Sequence, residues 1–218
     1  MKTKIIYLLT ACWIAFSSCK ENKSDYSAQI IDKNLRTVQN EWNDLFREIP
    51  AENIQENPID IIGNEWMLVT AGDSKKFNSM TVSWGGWGEV WNKPCSFIFI
   101  RDVRYTYEFL EQKEGFTLCF FPEEFKGALR ILGNRSRRNQ NKIKQSGLQY
   151  VLTPSGLVAY KEAKMIIECK KLFTAPLQTE NISKNVRETI VKDWYTSDPS
   201  LHNLFISEIT KVWIKKHL

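Results

Sequence analysis

Histidine is scarce in this 218-residue chain, with His202 and His217 the whole supply. No CxxC or CxxH spacing accompanies them, so the sequence carries no signature of a metal site. Cysteine is sparse too. Cys12 lies in the N-terminal apolar run and Cys19 closes it, leaving Cys95, Cys119 and Cys169. An odd, irregularly spaced set does not make a disulfide scaffold, and each of the three sits in or beside an apolar stretch. Buried free thiols are the expectation. No block of like charge exists: the 30 Lys+Arg and 25 Asp+Glu are dispersed, which speaks against a nucleic-acid platform. Beyond residue 16 no apolar run approaches the ~20 residues that a membrane-crossing helix needs. Internal repeats and low-complexity segments are absent as well.

What is present begins at the N-terminus. Lys2 and Lys4 precede an uncharged apolar run, IIYLLTACWIAF over residues 5–16, and Ser17-Ser18-Cys19 closes it. Positive start, short apolar stretch and small residues before a cut describe a secretory signal over residues 1–18. Phe-Ser-Ser-Cys resembles a bacterial lipoprotein box, with Cys19 as the lipidated residue. An ordinary signal peptide with Cys19 incidental is the alternative. The lipoprotein reading predicts an exported chain held in the bacterial cell envelope by its lipid alone. Loss of residues 1–18 removes two lysines and no acids, lowering the formal charge from +5 to +3. Residues 19–27 read as a polar linker. Residues 28–50 read as an N-terminal helix, because Ile31, Leu35, Val38, Trp42, Leu45 and Phe46 recur at steps of three and four.

Residues 51–218 read as one domain, mainly β with helices. Strands are expected at 66–71, 80–84, 95–100, 116–121, 149–153, 163–173 and 204–215, and helices at 105–113 and 123–132. Gly85-Gly86-Trp87-Gly88 reads as a loop, and residues 181–195 are ambiguous, with a short helix as one option. Many short strands with helices at the corners favour a barrel over a doubly wound sheet.

Three polar clusters lie at strand ends or in loops. Asn78, Ser79, Met80, Thr81, Ser83 and Trp84 gather an amide, three hydroxyls and an indole around one strand. Such a set offers donors and acceptors to a ligand rim, and equally suits a half-exposed strand. Arg101, Arg104, Tyr105 and Thr106 follow a buried strand, where arginines and a helix start could grip phosphate. Residues 133–142 place Arg135, Ser136, Arg137, Arg138 and Lys142 beside Gly133. A solvated basic loop is the plain reading of that segment by itself.

The runs FNSMTVSWGGWGEVWNKP (77–94), FIFIRDVRYTYEFLE (97–111) and FTLCFF (116–121) together resemble the flavin reductase-like, FMN-binding split-barrel family, flavoredoxin-type members above all. AKMIIECKKLFTAPL (163–177) and LHNLFISEITKV (201–212) resemble its later segments, so the likeness spans roughly residues 45–215. The resemblance implies a Greek-key split β-barrel that binds FMN at a homodimer surface. It implies that Asn78, Ser79, Met80, Thr81, Ser83 and Trp84 line the flavin ring and ribityl chain. Arg101, Arg104, Tyr105 and Thr106 would then stand near the phosphate, with Ser136 and Lys142 completing the grip. His202 matches the family's histidine near the nicotinamide side, before the terminal stretch, and Glu208 matches the glutamate of that stretch. The chain departs from the family at Arg137 and Asn139, where Gly and Asp are common, at Asp102, where Pro is common, and at Ser207, which replaces a glycine. The implied function is an FMN-binding oxidoreductase, with NAD(P)H a possible electron donor and an unknown redox partner. The alternative is an FMN-holding electron carrier of the cell envelope without an NAD(P)H site, since that nucleotide is scarce outside the cytoplasm.

Overall fold

The computed structural model describes residues 40–134, 141–195 and 200–217. Its contacts divide the chain into Met1–Asp44 and Leu45–Leu218. Of the first unit the described residues, 40–44, are helical. The linker, the signal segment and residues 28–39 of the expected helix lie outside the described residues. The expected helix over 28–50 runs too far at its end: Phe46–Ile49 is a strand, β1. Phe46 is buried in that strand, so an apolar position that fits helical spacing is satisfied instead by sheet pairing.

The second unit is mainly β with helices, as expected. Its strands are β2 (Met67–Gly72), β3 (Phe77–Val82), β4 (Gly85–Val90), β5 (Lys93–Arg101), β6 (Gly115–Phe120), β7 (Tyr150–Leu152), β8 (Val158–Tyr160), β9 (Met165–Pro176) and β10 (His202–Lys215). Its helices are α1 (Tyr105–Gln112), α2 (Lys126–Asn134), α3 (Lys142–Ser146) and α4 (Lys184–Tyr195). A helical turn at Pro58–Asp60 continues into Ile61–Glu65 before β2. One antiparallel sheet has the order β3-β2-β6-β9-β10-β5-β4, and β1 pairs with the end of β10. β7 and β8 form a separate hairpin.

Strand alternation divides the sheet into two faces. Met67, Val69, Met80, Val82, Ile98, Ile100, Phe116, Leu118, Met165, Ile167, Phe205 and Ile209 share one core with Phe109 and Leu110 of α1. A register shift in β10 between Ile209 and Lys211 returns Val212, an even-numbered residue, to that core. The opposite face is covered in part by the β7–β8 hairpin and is polar where they meet. Thr70 Oγ1 lies 2.9 Å from Ser79 Oγ, which lies 2.7 Å from the Tyr160 hydroxyl, and Thr117 Oγ1 donates to Val158 O at 2.6 Å. Each of these buried hydroxyls has a partner, another hydroxyl or the Val158 carbonyl, which offsets the cost of leaving water.

Three further differences from the sequence reading have local causes. The glycine-rich residues 85–88 are not a loop: they open β4, where Gly85 and Gly86 pair with Ile98 and Phe97. The turn lies at Trp91 and Asn92, both with positive φ (56° and 54°), as a two-residue hairpin with right-handed strand twist demands. Gly133 does not end α2, which runs to Asn134. Residues 184–195, ambiguous in sequence, are helical.

Candidate functional site

The site grows from the point where β3, β5 and β10 end near one another. β5 and β10 are antiparallel, and their register sets His202 opposite Arg101. β3 runs out through Val82 into Ser83 and Trp84 before β4 begins at Gly85. Arg104, extended at φ −80° and ψ 132°, precedes α1 and turns the chain back: its N–H donates to Arg101 O at 3.1 Å. Between them lies a cleft of about 340 Å³, lined by Met80, Thr81, Val82, Ser83, Trp84, Phe99, Arg101, Arg104, Trp194 and His202.

Its walls are aromatic. Trp84 meets Trp194 edge-on at 5.0 Å between ring centroids, and His202 at 4.7 Å. Tyr195 closes the back, its hydroxyl 2.9 Å from His202 Nδ1, with the Arg101 guanidinium 5.8 Å from the centre of its ring. Among the described residues its charge is positive: two arginines line the cleft and no carboxylate does. Burial, and then the positive fields of Arg101 and Arg104, push the His202 imidazole down from 6.5 to about 4. The ring is therefore neutral at pH 7 and offers one N–H and one lone pair.

The chemistry is distinct from that of two other clefts on this unit. Those have volumes of about 270 and 420 Å³, share Glu52, and add Glu48 and Glu89 respectively, with lysine as their cationic lining residue. Only the His202 cleft among these three combines arginines with an acid-free lining. Among the described residues no group of His, Cys, Asp and Glu could hold a metal ion, and no helix is long and apolar enough to cross a membrane.

A family model, the flavin reductase like domain, matches residues 61–218, which carry every strand of this sheet except β1. The chain belongs to the flavin reductase-like family. Solved structures share its fold at low identity. A flavoredoxin from Methanosarcina acetivorans is 16% identical, with 70% of this chain and 69% of that chain covered and a TM-score of 0.53. An FMN-binding protein from Thermus thermophilus, with bound 1-cyclohex-2-enone, is 18% identical over 79% of this chain and 82% of that chain, with a TM-score of 0.56. The flavoredoxin of Desulfovibrio vulgaris is 21% identical over 69% of each chain, with a TM-score of 0.53. No curated protein sequence matches.

In this flavin reductase-like chain the residues expected at the site separate into groups. Met80, Thr81, Ser83, Trp84, Arg101, Arg104 and His202 come together in the cleft. Thr81 spends its hydroxyl on Leu129 O of α2 at 2.6 Å, so it contributes shape and backbone rather than a free hydroxyl. Asn78 and Thr106 are both buried and bond to each other, Nδ2 to Oγ1 at 2.7 Å, which ties β3 to the start of α1 behind the arginines. Ser79 points to the opposite face and is held between Thr70 and Tyr160. Alternation puts it there, and a run of hydroxyls in sequence hides it.

Tyr105 meets Phe109 edge-on at 5.1 Å and packs against the core. Lys142 is buried, and its ammonium donates to Leu132 O at 2.9 Å, capping α2 from α3 instead of lining the cleft. Ser136 and its arginine neighbours lie outside the described residues. Glu208 is not in the cleft: it pairs with Lys93 at 2.7 Å, six residues along β10 from His202, or about 20 Å at strand spacing.

Sequence reasoning missed Val82, Phe99, Trp194 and Tyr195. The last two end α4 and return across a short connection to His202. An exposed Trp beside a Tyr, seven and eight residues before a strand's leading His, is the signal that could have found them. Its meaning depends on α4 folding back, which local pattern does not specify.

Proposed function

We propose that this chain is an FMN-binding oxidoreductase and that the His202 cleft is where the flavin lies. The carrying observation is the lining itself: apolar Met80, Val82, Phe99 and Trp84 beside Arg101 and Arg104, with no acid among them. That donor set fits a flat apolar ring system carrying a phosphate. Apolar contact rewards burial of the ring, and a guanidinium binds phosphate through charge-assisted, bidentate hydrogen bonds. Bound FMN supplies hydride and electron transfer, and the protein supplies binding, orientation and access. Met80, Val82 and Trp84 would hold the ring against β3, and Arg101 and Arg104 the phosphate. Neutral His202 would contribute a hydrogen bond rather than a charge.

The family match over residues 61–218 supports this reading, and so do neighbours described as flavoredoxins and FMN-binding proteins. We extend the same proposal to a split barrel that pairs as a homodimer. Leu172 and Phe173 on β9 and Val186 and Trp194 on α4 remain exposed on the single chain and suit such a pairing. Lipidation at Cys19 and placement in the cell envelope belong to the proposal as well, on the sequence features of residues 1–19.

A second reading is an FMN-holding electron carrier with no NAD(P)H site. It is favoured by the placement of Glu208, which is paired with Lys93 far from His202 instead of joining it. Anaerobic addition of NADH or NADPH to the FMN-loaded protein separates the two. Bleaching of the flavin supports the reductase, and a flavin that only dithionite bleaches supports the carrier. The shared premise is tested by FMN titration. Arg104→Ala should weaken binding roughly 10- to 100-fold, the ~1.5–3 kcal/mol of a hydrogen bond to a charged group. Protein that neither carries FMN nor takes it up would sink both readings.

A further inference from the structure

Among the described residues His202 is held on one side. Its Nδ1 is 2.9 Å from the Tyr195 hydroxyl, and that is the one hydrogen bond of its ring among the described residues. The groups that face the ring are Tyr195 at the end of α4, Trp84 after β3, Arg101 on β5 and Arg104 before α1. Among the described residues none of these groups is an acid that would favour an imidazolium, and the two arginines oppose one. Tyr195 is itself buried, which raises its phenol above the ordinary value, and the Arg101 guanidinium over its ring offsets part of that rise. An imidazole nitrogen is a stronger base than a phenol oxygen, so the proton of this bond belongs to Tyr195 and the lone pair to Nδ1.

We propose that Tyr195 is the positioning residue of this cleft: donating to Nδ1, it fixes the His202 proton on Nε2, as a donor for a carbonyl oxygen of the bound ligand. This rests on the reading of the cleft as a flavin site, where the ring system carries such carbonyls. Trp84 sets the plane of the imidazole from the opposite side, with ring centroids 4.7 Å apart. Tyr195 therefore acts through His202 and not on the ligand. The arrangement also gives the buried end of α4 a purpose: it carries Trp194 to the cleft wall and Tyr195 to the histidine behind it.

The test is nitrogen-15 NMR of the histidine side chains in the flavin-free protein, with His202 assigned by its loss in His202→Gln. The expected spectrum has the His202 proton on Nε2 and no protonation until well below pH 6. Tyr195→Phe keeps the ring under Arg101 and removes only the donor. It should mix the two tautomers, whereas a merely structural tyrosine would leave the proton on Nε2. A proton found on Nδ1 in the unaltered protein overturns the proposal, whatever the variant does.

Addition of FMN provides the second arm. The Nε2 resonance should shift and its proton exchange more slowly with water, and Tyr195→Phe should lose that response. FMN that binds with no change at Nε2 would overturn the donor role. If FMN fails to bind, the flavin reading and the ligand contact both fall, while the flavin-free spectrum still judges the Tyr195 lock.

Discussion

Gly85 is the residue on which the cleft wall turns, and replacing it with alanine is the most informative single change. A Cβ placed there would stand 2.4 Å from Phe97 O and 3.0 Å from Met67 Cε, at a φ of 156°. The methionine tip can move. The carbonyl cannot, because it belongs to β5 within the β4–β5 ladder, where Gly85 pairs with Ile98 and Gly86 with Phe97. The strained backbone costs about 1–3 kcal/mol, and the overlap in a packed ladder about 1–3 more. Gly85→Ala should therefore lose about 4 kcal/mol, a large part of the ~5–15 kcal/mol that holds a domain together. Gly86→Ala is the control, since its Cβ would meet nothing within 4 Å, and it should change stability by less than ~1 kcal/mol. Urea unfolding of both variants measures the gap, with equal m-values confirming that the unfolding reaction is unchanged. Because Trp84 precedes Gly85 directly, FMN affinity of the folded fraction should drop in Gly85→Ala and hold in Gly86→Ala. Two variants within 1 kcal/mol of each other would refute the close approach of β4 to β5 on which this wall depends.

Three further outcomes follow from buried polar groups. Tyr160→Phe removes one partner of the Ser79 hydroxyl and leaves Thr70 as the other, so it should cost about 1 kcal/mol. In thermal unfolding that is a fall in Tm of roughly 2–4 °C, and no fall would mean the buried hydroxyl set is not formed. The His202 imidazole is depressed from 6.5 to about 4 on folding, so the unfolded chain binds its proton first. Stability from this group is thus present above pH 6.5 and is lost as pH falls from 6.5 towards 4. At ~1.4 kcal/mol per pH unit the ceiling is roughly 3 kcal/mol, and solvent screening of a half-buried ring reduces it to about 1–2. The stability difference between the unaltered protein and His202→Gln should shrink by that amount between pH 7.5 and 4.5, and a flat difference would contradict the depressed imidazole. Burial pushes the Cys119 and Cys169 thiols up to about 12 and raises Cys95 as well. A thiol reagent at pH 8 should leave all three unmodified until denaturant is added, and fast labelling of Cys169 in the folded protein would show that its burial is wrong.

The sequence by itself determined most of the strands, because a compact apolar run at 66–71, the alternation of Met80, Val82 and Trp84 and an aromatic-rich run at 116–121 are local patterns. It also determined the family, since the runs from Phe77 to Phe121 keep their residue types and spacing together. It placed Trp84, Arg101, Arg104 and His202 at a site, although they are spread over more than a hundred residues of chain. It failed where the deciding partner is distant. Residues 85–88 look like a loop until β5 is laid beside them, and Phe46 looks helical until β10 is. Tertiary structure alone decided which polar side chains face the cleft. Pleating turned Ser79 to Tyr160, α3 drew Lys142 to the end of α2, and strand length carried Glu208 to Lys93 and away from His202. It alone folded α4 back so that Trp194 and Tyr195 meet Trp84 and His202. The physical reason is the same in each case: a side chain's type is written locally, but its direction and its neighbours are set by contacts between segments far apart in sequence.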